Sequence, residues 1–165
     1  MVKVWRDLWG LGEMPFYEVE LAPFTYGGDG TTGARIREAQ HKAVELIPGS
    51  GIASINDLAY PYEYDEIHPR RKKEVGERLS YLALNRTYGM DYLPCEGPRF
   101  KSYEVRGGEI EVAFYNGESG FSPWHDIVGF EIAGEDKVFH PAEIRRGTQL
   151  NTVIVKSGKV PAPVA

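Results

Sequence analysis

Residues 51–83 read GIASINDLAYPYEYDEIHPRRKKEVGERLSYLA, and three kinds of pattern follow one another in them. "IASINDL" is a short apolar run ending on an acid, which predicts a buried strand closing at Asp57. "AYPYEYDEIH" is polar and aromatic without a period, which predicts a loop. From Pro69 onward Val75, Leu79, Leu82 and Ala83 recur at helical spacing. The spacing predicts a helix with Pro69 in its first position, His68 as its cap and an end near Tyr88–Gly89.

The same grammar holds upstream. The opening residues, with Val4, Leu8 and Leu11 on one side, predict helix. "PFYEVELAPF" alternates as a strand does, with Phe16, Glu18 and Glu20 opposite Tyr17, Val19 and Leu21. The Gly-rich "TYGGDGTTG" ends in threonines suited to capping a helix. In "ARIREAQHKAVELI", Ile36, Ala39, Ala43, Val44 and Ile47 recur at helical spacing, which predicts a helix, and "PGSG" stops it. Strand, helix, strand, helix predicts a parallel α/β sheet.

Downstream the pattern changes. "KSYEVRGGEIEVAFYN" places Tyr103 and Val105 before a Gly107–Gly108 turn and Ile110, Val112 and Phe114 after it, which is a hairpin signal. "IVGFEIAGEDKVFHPAEI" and "TVIVKSGKV" predict at least three further short strands. The expected organisation is therefore an α/β part over residues 1–92 and a small all-β domain over 93–165. Two strands with three helices make a poor sheet by themselves, so the expectation is that both parts are pieces of a larger protein, the β domain cut short at its C-terminus.

Composition narrows the function. The chain has 165 residues, a net charge of −5 and 42% hydrophobic residues, enough for a packed core. Basic and acidic residues number 11 and 14 before Tyr92 and 8 and 10 from there on, so neither part has the basic excess of a nucleic-acid binder. Cys95 is the single cysteine, which excludes an internal disulfide and a thiolate metal cluster within one chain. No apolar run approaches the ~20 residues needed to span a bilayer, and "MVKVWRDLWG" lacks a signal-peptide core.

Active-site groups of an open α/β sheet gather at the carboxyl ends of its strands. The loop after Asp57 is delivered to such a rim, and it carries Asp65, Glu66 and His68. A histidine there can take a proton from a hydroxyl nucleophile and return it to a leaving group, with a carboxylate fixing its tautomer. The spacing fits a capping histidine with acids at the positive end of a helix dipole equally well. No nucleophile accompanies the pair. None of Ser50, Ser54, Ser80, Ser102, Ser119, Ser122 and Ser157 lies in a Gly-x-Ser-x-Gly elbow. Ser119 falls in a glycine-flanked turn, and Cys95 lies at the junction of the two parts. His41, His125 and His140 are dispersed without metal-ligand spacing. Tyr103, Tyr115, Phe121 and Trp124 of the β part suggest either core packing or faces for stacking sugars, and hence an alternative role as a glycan-binding or accessory module.

Four stretches in order, "VWRDLWGLGEMPFYEVELAPF", "IREAQHKA", "DEIHPRRKKEVGERL" and "GFEIAGEDKVFHPAEI", resemble the bacterial sialate O-acetylesterases and related carbohydrate acetylesterases, including acetylxylan esterases, which are SGNH-type serine hydrolases. The resemblance runs from about Trp5 to Val155. It implies the C-terminal part of a three-layer α/β/α domain followed by a β-rich domain, no metal or cofactor, and an acetylated sugar as substrate. It suggests a periplasmic or extracellular enzyme. It places His68 on the family's catalytic histidine. The family's Asp two residues before that histidine is Glu66 here, while Asp65 fits the acid-x-x-His spacing of the wider group. Asp57 matches an acid closing the preceding strand. The family's Gly-Gln-Ser-Asn nucleophile motif and oxyanion-hole segments lie upstream of the matched stretches and are not in this sequence. The chain alone is then expected to be inactive, and its partner to be the missing N-terminal part or a second copy.

Overall fold

The computed structural model describes residues 1–28, 30–63, 65–122 and 127–165. Trp124 and His125 lie outside the described residues. The chain divides into two compact units, Met1–Glu96 and Gly97–Ala165.

The first unit mixes helices with a small parallel sheet. Helix α1, Val2–Trp9, closes on Gly10, whose φ of +65° is the left-handed position that a glycine takes without a Cβ penalty. Strand β1, Phe16–Val19, pairs in parallel with β2, Ser50–Ala53, from Phe16 opposite Ser50 to Val19 opposite Ala53. Helix α2, Thr32–Leu46, forms the crossover between them, as a parallel pair requires. The Ser50 hydroxyl lies 2.7 Å from the carbonyls of both Val44 and Ile47 and shares its proton between them, satisfying acceptors that the end of α2 leaves open. A single 3₁₀ turn, Pro61–Glu63, interrupts the following loop, and α3, Lys72–Arg86, packs back on both strands.

All four residues of β2 are buried, and Leu82 of α3 is fully so. A Cβ at Gly51 would lie 3.0–3.2 Å from side-chain atoms of Arg86, Leu82 and Tyr17, so the close seat of α3 on the sheet favours a small residue there.

Two boundaries differ from the sequence reading. The buried strand is Ser50–Ala53 and not the run up to Asp57: "GSG" looks like a helix stop, yet its second half is already paired. Helix α3 starts at Lys72, with Arg71 in the cap position, and ends at Arg86. Pro69 therefore does not open the helix and His68 does not cap it. Carboxylates of the loop itself pin the segment before Lys72, as described below, and the helix starts only after those bonds are made.

The second unit contains only strands among its described residues. Strands β3, Arg99–Arg106, and β4, Glu109–Tyr115, form the expected hairpin over Gly107–Gly108, with a register shift between Phe100 and Ser102. Strands β5, Glu131–Ile132, and β6, His140–Pro141, make a separate short ribbon. Strands β7, Glu143–Arg146, and β8, Thr152–Lys156, complete an antiparallel sheet in the order β3-β4-β8-β7. Ile110, Val112, Val153, Val155, Ile132 and Val160 form its core. Phe114 packs edge-to-face against both Phe121 and Phe130 beside that core, so Phe121 serves packing.

Glu111 faces away from the apolar row of β4 and is still only 5% exposed. It accepts hydrogen bonds from the Thr148 amide (2.6 Å), the Thr148 hydroxyl (2.7 Å) and the Thr152 hydroxyl (2.7 Å), and it pairs with Arg106. Burial alone would raise this carboxyl, but the threonine donors and Arg106 outweigh it and bring it down to about 2.

Candidate active site

The carboxyl end of β1 is held by Gln40 of α2, and that of β2 by Glu20, the residue after β1. Gln40 accepts the Leu21 amide (2.8 Å) and donates to the Val19 carbonyl (3.1 Å), which fixes the chain as it leaves β1. Glu20, 5% exposed, accepts from Asn56 Nδ2 (3.0 Å) and the Ile55 amide (3.3 Å), which fixes the chain leaving β2. His41 Nε2 lies 3.0 Å from the same carboxylate. Burial raises the neighbouring Glu18 carboxyl above its usual value, with His41 opposing the rise.

From this rim the chain enters the loop toward α3. Asp57 forms a two-pronged ion pair with Arg78 of α3, and Arg78 also donates to the Ser54 carbonyl. That paired bond holds the Asp57 carboxyl below the usual carboxylate range against burial. Glu63, 2% exposed, accepts the Tyr60 amide (2.9 Å) and the Arg70 amide (3.3 Å). Its backbone carbonyl takes the Glu66 amide at 2.8 Å. One buried side chain thus ties the two ends of the 60–70 segment together.

The three acid–histidine candidates stand on that closed segment. Glu66 Oε1 accepts the His68 amide at 3.1 Å and lies 3.3 Å from His68 Nδ1. Asp65 instead accepts the Thr25 hydroxyl at 3.2 Å, anchoring the segment to the Gly-rich stretch after β1. Of the two acids, Glu66 touches the ring. The His68 side chain is 82% exposed, and the bond from Glu66 to Nδ1 leaves Nε2 directed to solvent. Ile67 and Pro69, which bracket His68, also line a depression of about 340 Å³ with Glu20, Leu21, Tyr26 and Val75.

An imidazole held by a carboxylate on one nitrogen and open on the other can relay a proton between two oxygens. Two of the three serine hydroxyls of the first unit are engaged elsewhere: Ser50 with the end of α2 and Ser80 with the Glu77 carbonyl. Among the described residues no three His, Cys, Asp or Glu side chains are grouped to hold a metal ion, and no helix is long and apolar enough to cross a membrane.

The acid–histidine pair was visible in the sequence, but Glu20, Gln40, His41 and Glu63 as its supports were not. An acid next to apolar residues in a strand and another between two tyrosines carry no spacing signal. Only the burial of Glu20 and Glu63 singles them out.

No family model matches the chain, and no curated protein does. Among solved structures, the crystal structure of a carbohydrate acetylesterase from Xanthomonas citri matches over 99% of this chain, with 35% sequence identity and a TM-score of 0.80. The chain is related to a carbohydrate acetylesterase. It spans 38% of the length of that protein.

Proposed function

We propose that this chain supplies the histidine side of the active site of a carbohydrate O-acetylesterase, an SGNH-type serine hydrolase that removes acetyl groups from sialic acid or polysaccharide sugars. The observation that carries the reading is the contact of Glu66 with His68 at the strand-end rim. The relation to the Xanthomonas acetylesterase supports the reaction class.

In this reading the nucleophilic serine and the oxyanion-hole donors belong to a preceding part of the enzyme. The serine oxygen attacks the acetyl carbonyl while His68 Nε2 takes its proton. His68 then gives that proton to the departing sugar oxygen, leaving an acetyl ester on the serine. Water attacks that ester with His68 again as base, and acetate leaves as the serine regains its proton. Glu66 steadies the imidazolium at both stages, and Asp65 holds the segment through Thr25. Asp57, committed to Arg78, organises the loop and moves no proton. No cofactor takes part in any of these steps.

A glycan-binding role for the second unit has less support. Phe121 is packed at the core, and the Tyr103 hydroxyl donates to the Val164 carbonyl at 3.3 Å.

The test is a serine-directed fluorophosphonate probe on the 165-residue chain, with acetate release measured alongside. The expected result is no adduct and no acetate. With the nucleophile-bearing part supplied, acetate release should appear and fall about 10³-fold or more in His68→Ala. A labelled serine on this chain, releasing acetate by itself, would overturn the split-site reading.

A further inference from the structure

The segment closed by Glu63 carries a second feature besides Glu66 and His68. The Tyr60 and Tyr62 rings are stacked, 7° from parallel with centroids 5.3 Å apart. The Arg71 guanidinium lies 5.8 Å from the centre of the Tyr60 ring and that of Arg70 lies 5.9 Å from the centre of Tyr62. Tyr62 remains 66% exposed. Directly after Tyr62 in sequence, Glu63 is buried and holds the Tyr60 and Arg70 amides. The backbone beneath the rings is therefore fixed while the rings face outward, which is preorganisation of an exposed aromatic surface and not core packing.

Charge does not account for the arrangement. Arg70 Nε sits 3.6 Å from Glu63 and Arg71 Nε sits 2.9 Å from Glu74, so both guanidinium groups already have carboxylate partners. What remains to offer a ligand is a flat, half-apolar face with planar N–H donors beside it. A pyranose ring presents the complement: an apolar face of C–H groups and a rim of hydroxyls that accept hydrogen bonds.

We propose that Tyr60, Tyr62 and Arg70 form a stacking subsite for a pyranose ring of the carbohydrate, adjacent to the unit whose ester His68 serves. Tyr62 and His68 are six residues apart, which bounds their separation at about 20 Å, and the Glu63 bonds draw the segment in further. The adjacency to the ester rests on the proposed esterase reading; the sugar-binding face does not.

The experiment titrates the 165-residue chain with O-acetylated xylo-oligosaccharides and with an O-acetylated sialyl oligosaccharide, each beside its deacetylated form, by calorimetry and by the tyrosine ring signals. At least one sugar series should bind, with the deacetylated form bound within about threefold of the acetylated one because stacking does not read the acetyl group. Tyr62→Ala should weaken binding about fivefold and Tyr62→Phe should retain it. Binding that is indifferent to Tyr62→Ala, or absent for all four sugars, overturns the subsite. Sugar binding through Tyr62 with no acetate release once the nucleophile-bearing part is supplied would instead remove the esterase reading and leave the subsite standing.

Discussion

Both compact units bury glutamates, and Glu111 and Glu63 are used in opposite ways. Glu111 sits in the middle of a strand and gathers the turn between β7 and β8 onto a sheet that already pairs its own backbone. Glu63 sits where no ladder reaches and replaces the ladder, accepting backbone amides from both ends of an irregular segment. The second unit has a four-stranded sheet and an apolar cluster, so its carboxylate adds to an ordered frame. The first unit has two four-residue strands, so Glu20 and Glu63 are the frame for the loops around them. Buried amides must be paired by something, and side chains take over where regular structure is short. That substitution leaves Glu66, His68 and Tyr62 exposed on a segment whose two ends are tied to one buried side chain.

The contrast can be broken most forcefully at Glu111. Glu111→Leu should cost about 3 kcal/mol, since it leaves the Thr148 amide and hydroxyl without their acceptor and removes one of the two acceptors of Arg106 and of the Thr152 hydroxyl. The loss should appear in hydrogen exchange of residues 97–165 and spare the first unit. Equal loss of protection in both units would show that they do not unfold separately.

Acid probes the same carboxylate. Its folded value of about 2 lies below the ordinary 4.5, so its stabilisation is complete above about pH 4.5 and is lost as pH falls toward 2. Over that window the second unit should lose about 2–3 kcal/mol, measured by denaturant unfolding at each pH. In Glu111→Gln this part of the pH dependence should vanish.

Glu63→Gln should cost less, about 1–2 kcal/mol, because one amide acceptor remains while the other contact and the Arg70 pair are weakened. Its signature should be local, with faster exchange at the Tyr60 and Arg70 amides and little change in β1 or β2. Cooperative unfolding of the whole first unit would mean that the segment is part of its core. The smallest expected effect is the stability of His68→Ala, within about 0.5 kcal/mol of the parent by thermal unfolding, because an exposed ring carries no packing. A large loss there would assign His68 a structural task in place of a chemical one.

Periodicity made much of the frame legible. Alternation in β1, helical spacing in α2 and the Gly107–Gly108 hairpin each read correctly because the pattern repeats within a few residues. The segment before α3 read less well. Pro69 favours a helix start, but Glu63 has already claimed the Arg70 amide, and the helix waits until Lys72. β2 was misplaced because Ser50 and Gly51 look like turn residues, whereas the approach of α3 demands a small residue there.

The sequence by itself determined the order of elements, the α/β then β character of the chain and the acid–histidine pair, since these depend on neighbours along the chain. Tertiary structure alone decided that Glu66 and not Asp65 reaches the ring, that Glu20 and Glu63 are buried supports, and that Tyr60 and Tyr62 stack outward. Those outcomes depend on which groups burial leaves in need of a partner, and that need arises only once distant segments have closed around them.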